Sequence, residues 1–321
     1  MIFIHRFVTE IEGQNFHKQL KYWNKLNANS PTSKLNFKVF SLGRIVLLFS
    51  LPVILFGCRE FVTDEFPDFE ARTAVNSILT PDKLVEIHMS KATKVDRMEL
   101  MAVENAYIQL LVNGEFSENL IHTSDGKYRS IHKVLPGNEY ACIVETVDLP
   151  VASANCKIPF ATSLNEVILY EGAWVNDEGW LCPAIQFSID NPNAELRYYN
   201  ARIKVLDIVY QQEGVTYQID DDISLDLFSN EFEDDPTITK YFEFFHDNLS
   251  FSEFAYVLEL RSLSFDLYVY MKSVIEYEKG RYPEFDSGSI VPQNLHNNVD
   301  GGYGIFAGYS TVSSDTLSIE D

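Results

Sequence analysis

The sequence predicts a mainly β protein, in which an N-terminal β-sandwich precedes a second β-rich domain with one short helix. Leu84–Ser90 alternates apolar and polar residues, the pattern of a strand with one buried face. Tight-turn sequences such as Asn113-Gly114 separate the short apolar runs of the first half, as in antiparallel sandwiches. A single stretch with helical spacing, Leu267–Ile275, interrupts the strand patterns of the second half.

The first predicted domain spans residues 72–162 and carries about seven short strands. Its turn signals are Asn113-Gly114, Asp125-Gly126 and Pro136-Gly137-Asn138, each between runs of strand-forming residues. The strands predicted around these turns include Ala106–Val112, Glu115–His122, Glu139–Thr146 and Val151–Pro159.

The second predicted domain spans residues 163–321. Its helix is predicted to begin after Ser264, a residue type that caps helices, and Gly280 is suited to end it. The apolar stripe of this helix favours core packing over ligand binding. The predicted strands are Glu166–Tyr170, Cys182–Ile189, Arg197–Leu206, Thr216–Ile219, Thr239–Phe245 and Tyr256–Ser262.

Residues 1–57 are interpreted as a leader. Lys38 and Arg44 form a positive flank before the apolar run Ile45–Phe56. A membrane-spanning helix needs about 20 apolar residues, so this run has the length of a signal-peptide core instead. Residues 1–34 are a long polar lead-in, and they are either an extended flank or lie upstream of a true translation start near residue 35.

The leader ends in Leu55-Phe56-Gly57-Cys58, which resembles a bacterial lipoprotein signal. In such signals the cysteine thiol accepts diacylglycerol before cleavage, so Cys58 is the predicted lipidation site and first mature residue. Together with an N-acyl chain such as palmitate, this gives stable anchoring where one chain would be marginal. Residues 58–71 are predicted to be an acidic tether. The alternative is a buried N-terminal helix with an incidental cysteine.

The charge is divided unevenly along the chain. The formal net charge of the whole sequence is −22. Residues 1–57 hold seven basic and two acidic groups, which leaves 18 basic and 45 acidic groups in the rest. An acidic body lacks the basic surface that nucleic acid requires, so nucleic-acid binding is not expected. A hydrophobic share of 46% also excludes a disordered acidic chain.

Two cysteines lie in neighbouring predicted strands. If Cys142 and Cys156 face each other across a hairpin centred on residue 149, they are close enough for a disulfide. The alternative is two separately buried thiols. Cys182 is expected to pack as a small buried residue.

Four aromatic residues are candidate ligand contacts. Trp174 and Trp180 bracket a predicted hairpin loop, and Tyr198 and Tyr199 follow one strand later. Exposed aromatic rings can stack on sugars or flat chelates, or anchor a protein interface. The alternative is that these rings are core anchors.

The acidic segment at residues 220–235 is a weak candidate for Ca²⁺ binding. Asp220, Asp222 and Asp226 supply alternating carboxylates, but the central glycine and terminal glutamate of an EF-hand loop are missing. A solvated acidic loop is the alternative. No zinc, phosphate-loop or nucleophile motif is present in the sequence, so no catalytic residue is assigned and an enzyme is not expected.

Seven segments, taken together, carry a family resemblance: Ala74–Ser90, Val103–Gly114, Asp125–Arg129, Leu135–Tyr140, Cys156–Pro159, Asp190-Asn191-Pro192 with Tyr198-Tyr199, and Asn297–Ser310. Their order and spacing resemble one family of uncharacterised Bacteroidetes surface lipoproteins, grouped as domain of unknown function 4249. The resemblance covers nearly all of residues 58–315, and it implies an outer-membrane lipoprotein with an immunoglobulin-like or carboxypeptidase-regulatory-like N-terminal sandwich.

The resemblance also implies an accessory role in uptake, since relatives are associated with TonB-dependent outer-membrane transporters. We therefore expect a lipid-anchored outer-membrane protein, on the cell surface or the periplasmic face, that assists such a transporter in nutrient capture. The alternatives are a surface hydrolase acting through carboxylates and a structural or adhesive envelope protein.

Overall fold

A computed structural model describes residues 70–93, 101–191, 195–211, 214–245, 254–281 and 294–318. These residues form a mainly β structure with one described helix, as the sequence predicts. The strands of the first half are β1 (Thr73–Leu79), β2 (Leu84–Lys91), β3 (Met101–Ala102), β4 (Tyr107–Val112), β5 (Glu115–Asn119), β6 (Ile121–Ser124), β7 (Lys127–Lys133), β8 (Glu139–Glu145) and β9 (Ala152–Lys157).

The strands of the second half are longer, and the helix lies between two of them. The elements are β10 (Leu164–Val175), β11 (Leu181–Asp190), β12 (Tyr198–Gln211), β13 (Gly214–Ser229), β14 (Thr237–Glu243), β15 (Phe254–Leu263), α1 (Phe265–Arg281), β16 (Tyr303–Ser313) and β17 (Leu317–Ser318).

The predicted tight turns have the backbone that their sequences favour. Asn113 and Gly114 both have positive φ angles, 53° and 83°, and so do Asp125 and Gly126, at 48° and 72°. Positive φ at both central residues is the type I′ pattern, whose twist matches that of the flanking strands. Each pair therefore closes a hairpin, β4–β5 and β6–β7.

The first half is a sandwich, and its two sheets share one core. One layer is the four-stranded sheet β5-β4-β8-β9, and the other contains β1, β2, β7 and β6. Leu84–Lys91 buries Val85, Ile87 and Met89, the alternate positions that the sequence predicts. Side chains from both layers, including Ile108 and Leu110 of β4, form a single apolar cluster.

A ten-stranded sheet connects this sandwich to the second half of the chain. Strand β16 pairs in parallel with β1 and antiparallel with β15, so eight strands follow the order β13-β12-β15-β16-β1-β2-β7-β6. The other two, β3 and β17, pair with β2 and β15 respectively. Phe306 of β16 and Val299 before it belong to the first core. The sheet therefore crosses the sequence-predicted boundary at residues 162–163, and the domain limits themselves remain a prediction.

The second core lies between the three-stranded sheet β10-β11-β14 and one face of strands β13, β12 and β15 of the ten-stranded sheet. Ile185, Phe187 and Ile189 of β11 meet Tyr199, Ala201, Ile203 and Val205 of β12 in one cluster. Alternate residues of both strands thus point into the same apolar layer, as expected for half-buried strands.

The helix begins where the sequence predicts. Ser264 Oγ accepts a hydrogen bond from the amide of Leu267 at 3.4 Å, the contact of an N-cap residue. The same oxygen accepts a hydrogen bond from the Gly308 amide of β16 at 3.2 Å. Leu267, Tyr270 and Met271 of the predicted stripe pack with β16 residues in a third small cluster, so the stripe is core packing.

Gly304 occupies a position on β16 that a side chain cannot share. It lies opposite Val75 of β1, its φ is +120°, and a Cβ there would overlap the Val75 carbonyl oxygen.

Gly304→Ala should lower the free energy of unfolding by about 3 kcal/mol, since backbone strain adds to the overlap. Gly114→Ala is the matched control, because its φ is also positive but nothing lies within 4 Å of its added Cβ. Urea unfolding of both variants checks this, and equal losses would contradict it.

A buried ion network joins β12 to β15 on the face opposite the second core. Glu259 is almost fully buried, and its carboxylate accepts hydrogen bonds from Lys204 Nζ at 2.5 Å and Arg261 Nε at 2.7 Å. Burial alone raises the pKa of Glu259, but the charge of Arg261 and the hydrogen bond and charge of Lys204 outweigh it. The pKa is therefore lowered from its ordinary value of 4.5.

Glu259→Gln should lower the free energy of unfolding at neutral pH by about 3 kcal/mol, because it leaves two largely buried cations without their counter-charge. Glu86→Gln, which breaks an exposed pair with Arg129, should cost less than about 1 kcal/mol. The folded pKa of Glu259 lies below the unfolded one, so its contribution is complete above pH 4.5 and lost as the pH falls below it. Urea unfolding at neutral and acidic pH measures the loss of stability and its pH dependence. A Glu259→Gln variant whose stability falls as much with acid as that of the wild type would contradict the expected pH dependence.

Candidate functional site

The predicted hairpin loop between Trp174 and Trp180 is confirmed. Strand β10 ends at Val175 and β11 begins at Leu181, and the Asn176 side chain organises the residues between them. Asn176 Oδ1 accepts hydrogen bonds from the amides of Glu178, at 3.1 Å, and Trp180, at 2.9 Å. This turn holds the exposed ring of Trp180 at the end of the hairpin.

Two tyrosines meet on the outer face of the β10-β11-β14 sheet. Tyr170 lies opposite Ala184, and Tyr241 lies opposite Gln186, so the tyrosines flank β11 from its two neighbouring strands. Their ring centroids are 6.0 Å apart, and Tyr170 Oη donates a hydrogen bond to Gln186 Oε1 at 3.3 Å. Both rings remain more than one-third exposed, whereas Ala184 is fully buried. A small residue on the central strand thus lets two large exposed rings approach each other.

Trp174 lies on the same face, one pair further along β11. It is opposite Cys182, two residues before Ala184, and the register shifts between Tyr170 and Trp174. Gly172 within this irregularity has a φ of 48°. Trp174 Nε1 is buried and makes no hydrogen bond to any residue in the described part of the chain. We call the surface of Tyr170, Trp174, Gln186 and Tyr241 the aromatic face.

The two tyrosines predicted alongside the tryptophans lie elsewhere. Tyr199 is fully buried in the second core, with its ring centroid 5.2 Å from that of Phe228. The prediction of a ligand contact at Tyr199 is therefore wrong, because the alternate phase of β12 turns its side chain inward. Tyr198 points to the other side, where its ring packs against Tyr268 of α1 at 4.6 Å and Phe265 at 5.5 Å.

Tyr170 and Tyr241 of the aromatic face are not among the ligand contacts predicted from the sequence. Tyr170 and Tyr241 alternate with the inward residues Leu169 and Phe242, so the period-2 pattern places them on the outer face. This alternation is the sequence signal that could have identified the two tyrosines as outward-facing. Their approach to each other depends on the strand order β10-β11-β14, which the local pattern does not contain.

The three aspartates considered for Ca²⁺ all lie on β13. Asp222 Oδ1 accepts a hydrogen bond from Arg202 Nε at 3.0 Å, and Asp226 Oδ1 accepts one from the next amide, that of Leu227. Within the described ranges, no group of three or more His, Cys, Asp or Glu side chains is placed to hold a metal ion. Asp220 with Asp222 and Asp226 thus forms no described ligand set, and Ca²⁺ binding there stays a prediction.

His296 has a partner that the sequence did not indicate. His296 Nε2 lies 2.8 Å from Asp266 Oδ1 in the first turn of α1, and the His296 amide donates a hydrogen bond to Ser273 Oγ. These contacts bind the segment before β16 to the helix. Because thirty residues separate His296 from Asp266, spacing gave no hint of the pair.

The predicted disulfide is not formed, and the register explains why. Cys142 lies opposite Ala154, and Cys156 lies opposite Tyr140, so the hairpin is centred on residue 148 instead of 149. The two cysteines are diagonal neighbours on one face, a separation too large for a disulfide without backbone movement. Both are free and buried, as is Cys182. Cys58, the leader and most of the tether lie outside the described residues.

Burial disfavours the thiolate form of all three cysteines. It raises the pKa of Cys142 and of Cys156 to about 12, and that of Cys182 in the same direction. Since the thiolate is the reactive form, we expect no labelling of Cys142 or Cys156 by a thiol reagent in the native protein. Both should be labelled after unfolding without reductant. Mass spectrometry of the labelled peptides checks this, and a cross-linked pair containing both residues would contradict it.

The fold and the aromatic face define a mainly β protein with an exposed surface of the kind that contacts ligands or other proteins. Within the described part of the chain, no helix is both long and apolar enough to cross a membrane. A comparison with curated proteins gives no match. Residues 59–315 match the family described as domain of unknown function (DUF4249), and the chain belongs to this family.

Proposed function

We propose that this protein is a lipid-anchored accessory protein of the outer membrane that helps a TonB-dependent transporter capture a nutrient. Capture is non-covalent and proceeds without turnover. The aromatic face and the adjacent Trp180 make the contacts with the nutrient, and the lipid chains on Cys58 hold the protein at the membrane.

The observation that carries the binding role is the exposure of the aromatic face. Tyr170 and Tyr241 each leave over one-third of their surface in water, although an exposed apolar ring on a folded protein gains nothing from that position. Tyrosine joins a flat apolar face to a polar hydroxyl, a combination suited to stacking on sugars or anchoring a protein interface. Gln186, which accepts a hydrogen bond from Tyr170 Oη, adds an amide group for directional hydrogen bonding.

The sequence Leu55-Phe56-Gly57-Cys58 supports the lipid anchor. Charge supports it too, because residues 58–321 hold 45 acidic against 18 basic groups. A surface this acidic is repelled by anionic headgroups, so attachment through lipid chains is more favourable than attachment through surface charge.

Co-purification of the full-length tagged protein from detergent-extracted membranes tests the proposal. The wild type should co-purify with a TonB-dependent transporter and fractionate with membranes. Cys58→Ser should move to the soluble fraction, whereas Cys182→Ser, at a buried cysteine of the fold, should stay with membranes. Absence of any transporter, or membrane retention of Cys58→Ser, would contradict the proposal.

The aromatic face is tested in the same preparation. Tyr170→Ala combined with Tyr241→Ala should keep the membrane attachment but lose at least tenfold in affinity for whichever soluble glycan or peptide the wild type binds in a panel. Tyr107→Ala combined with Tyr303→Ala, at two tyrosines similarly exposed on other strands, should bind as the wild type does. Turnover of a panel member, abolished by a single Asp or Glu substitution, would replace the proposal with a hydrolase.

A further inference from the structure

Strand β13 lies at one end of the ten-stranded sheet. Among the described strands it pairs only with β12, so its other edge faces no described strand. Its first six residues, Gly214–Ile219, expose three large apolar side chains at alternate positions. Val215 is 48% exposed, Tyr217 is 47% exposed and Ile219 is 67% exposed.

The same apolar surface continues onto β12. Ile219 lies opposite Leu206, and Tyr217 lies opposite Ile208, so these four side chains share one face of the hairpin. Leu206 and Ile208 alternate with Val205, which points into the second core. The shared face is therefore turned away from that core. We call Leu206, Ile208, Val215, Tyr217 and Ile219 the β13 face.

This edge lacks the features that keep exposed strands from pairing with other chains. Natural edge strands are protected by charged residues, prolines or bulges. Gly214–Ile219 contains no charged residue and no proline, and its pairing with β12 is regular. The register shift and the aspartates begin directly afterwards, at Asp220 and Asp221. The features that protect a strand edge from pairing with other chains thus begin where the apolar segment ends.

We propose that the β13 edge binds an extended segment of a partner protein, which adds a strand beside Gly214–Ile219. Such β-augmentation takes affinity from main-chain hydrogen bonds and specificity from alternate side chains. The partner segment carries apolar residues at alternate positions to cover the β13 face. It also carries Lys or Arg beside them, because Asp220 and Asp221 follow the apolar residues and the chain as a whole has a net charge of −22.

Charge also argues against a second copy of this chain as the occupant. Two copies would each bring a net charge of −22, and both edges carry the same acidic run. A cationic segment gains from this charge, whereas a second copy is repelled by it. The inference goes beyond the proposed function, since it holds for a partner other than a transporter.

Binding of a synthetic peptide to the full-length protein tests the inference. The probe is Lys-Lys-Ile-Thr-Val-Thr-Ile-Lys-Lys, and two control peptides replace every Lys by Glu or the central Val by Pro. Fluorescence anisotropy measures affinity, and amide hydrogen exchange locates the site. The Lys peptide should bind at least tenfold more tightly than either control and should slow exchange in residues 214–219.

Substitutions on the two faces of β13 provide the matched comparison. Tyr217→Lys combined with Ile219→Lys should weaken peptide binding at least tenfold. Thr216→Lys combined with Gln218→Lys adds the same charge on the other face of the strand and should change the affinity for the peptide less than threefold. Unfolding curves of both variants establish that they fold.

Three results would overturn the inference. The first is equal binding of the Lys and Pro peptides, and the second is protection outside residues 206–222. The third is a dimer of the free protein, seen by sedimentation, that Tyr217→Lys with Ile219→Lys converts to monomer, since this would make a second copy the occupant.

Discussion

Strand β16, near the end of the described chain, lies between the first strand of the sandwich and a strand of the second half. Its parallel pairing with β1 extends from Ala74–Tyr303 to Leu79–Gly308, and its antiparallel pairing with β15 begins at Leu263–Tyr309. One continuous sheet therefore spans both halves, and both cores pack on it. The close approach of β1 and β16 requires Gly304, where the backbone of one strand occupies the space of a side chain on the other. Sandwich, second core and helix all depend on this contact.

One face of β12 makes apolar contacts, and the other makes polar contacts. One face supplies Ala201, Ile203 and Val205 to the second core. The other carries Lys204, which pairs with the almost fully buried carboxylate of Glu259 on β15, and the same carboxylate also pairs with Arg261. A buried carboxylate without its partner is costly, so the network disfavours any register of β12 against β15 that separates Lys204 from Glu259. Beyond Lys204 the same face becomes apolar and leads onto the exposed β13 face.

The two surfaces proposed for binding arise from where strands end and where small residues lie. The aromatic face exists because Ala184 and Cys182 on the central strand β11 leave room for rings from its neighbours. The β13 face exists because β12 and β13 extend past the described part of β15, whose pairing with β12 is described as far as Asp207–Phe254. For the two proposed binding roles, the acidic composition of the chain favours cationic partners.

Local patterns determined much of this protein. The alternation in Leu84–Ser90, the type I′ turns at Asn113-Gly114 and Asp125-Gly126, and the helix after Ser264 all follow from interactions within a few residues. The family relationship over residues 59–315 also follows from sequence. The tertiary structure decided the rest. A one-residue difference in the centre of a hairpin separated Cys142 from Cys156, and the phase of one strand buried Tyr199. The parallel pairing of β1 with β16 joins residues more than two hundred positions apart, and such contacts depend on the packing of the whole chain, which no local pattern records.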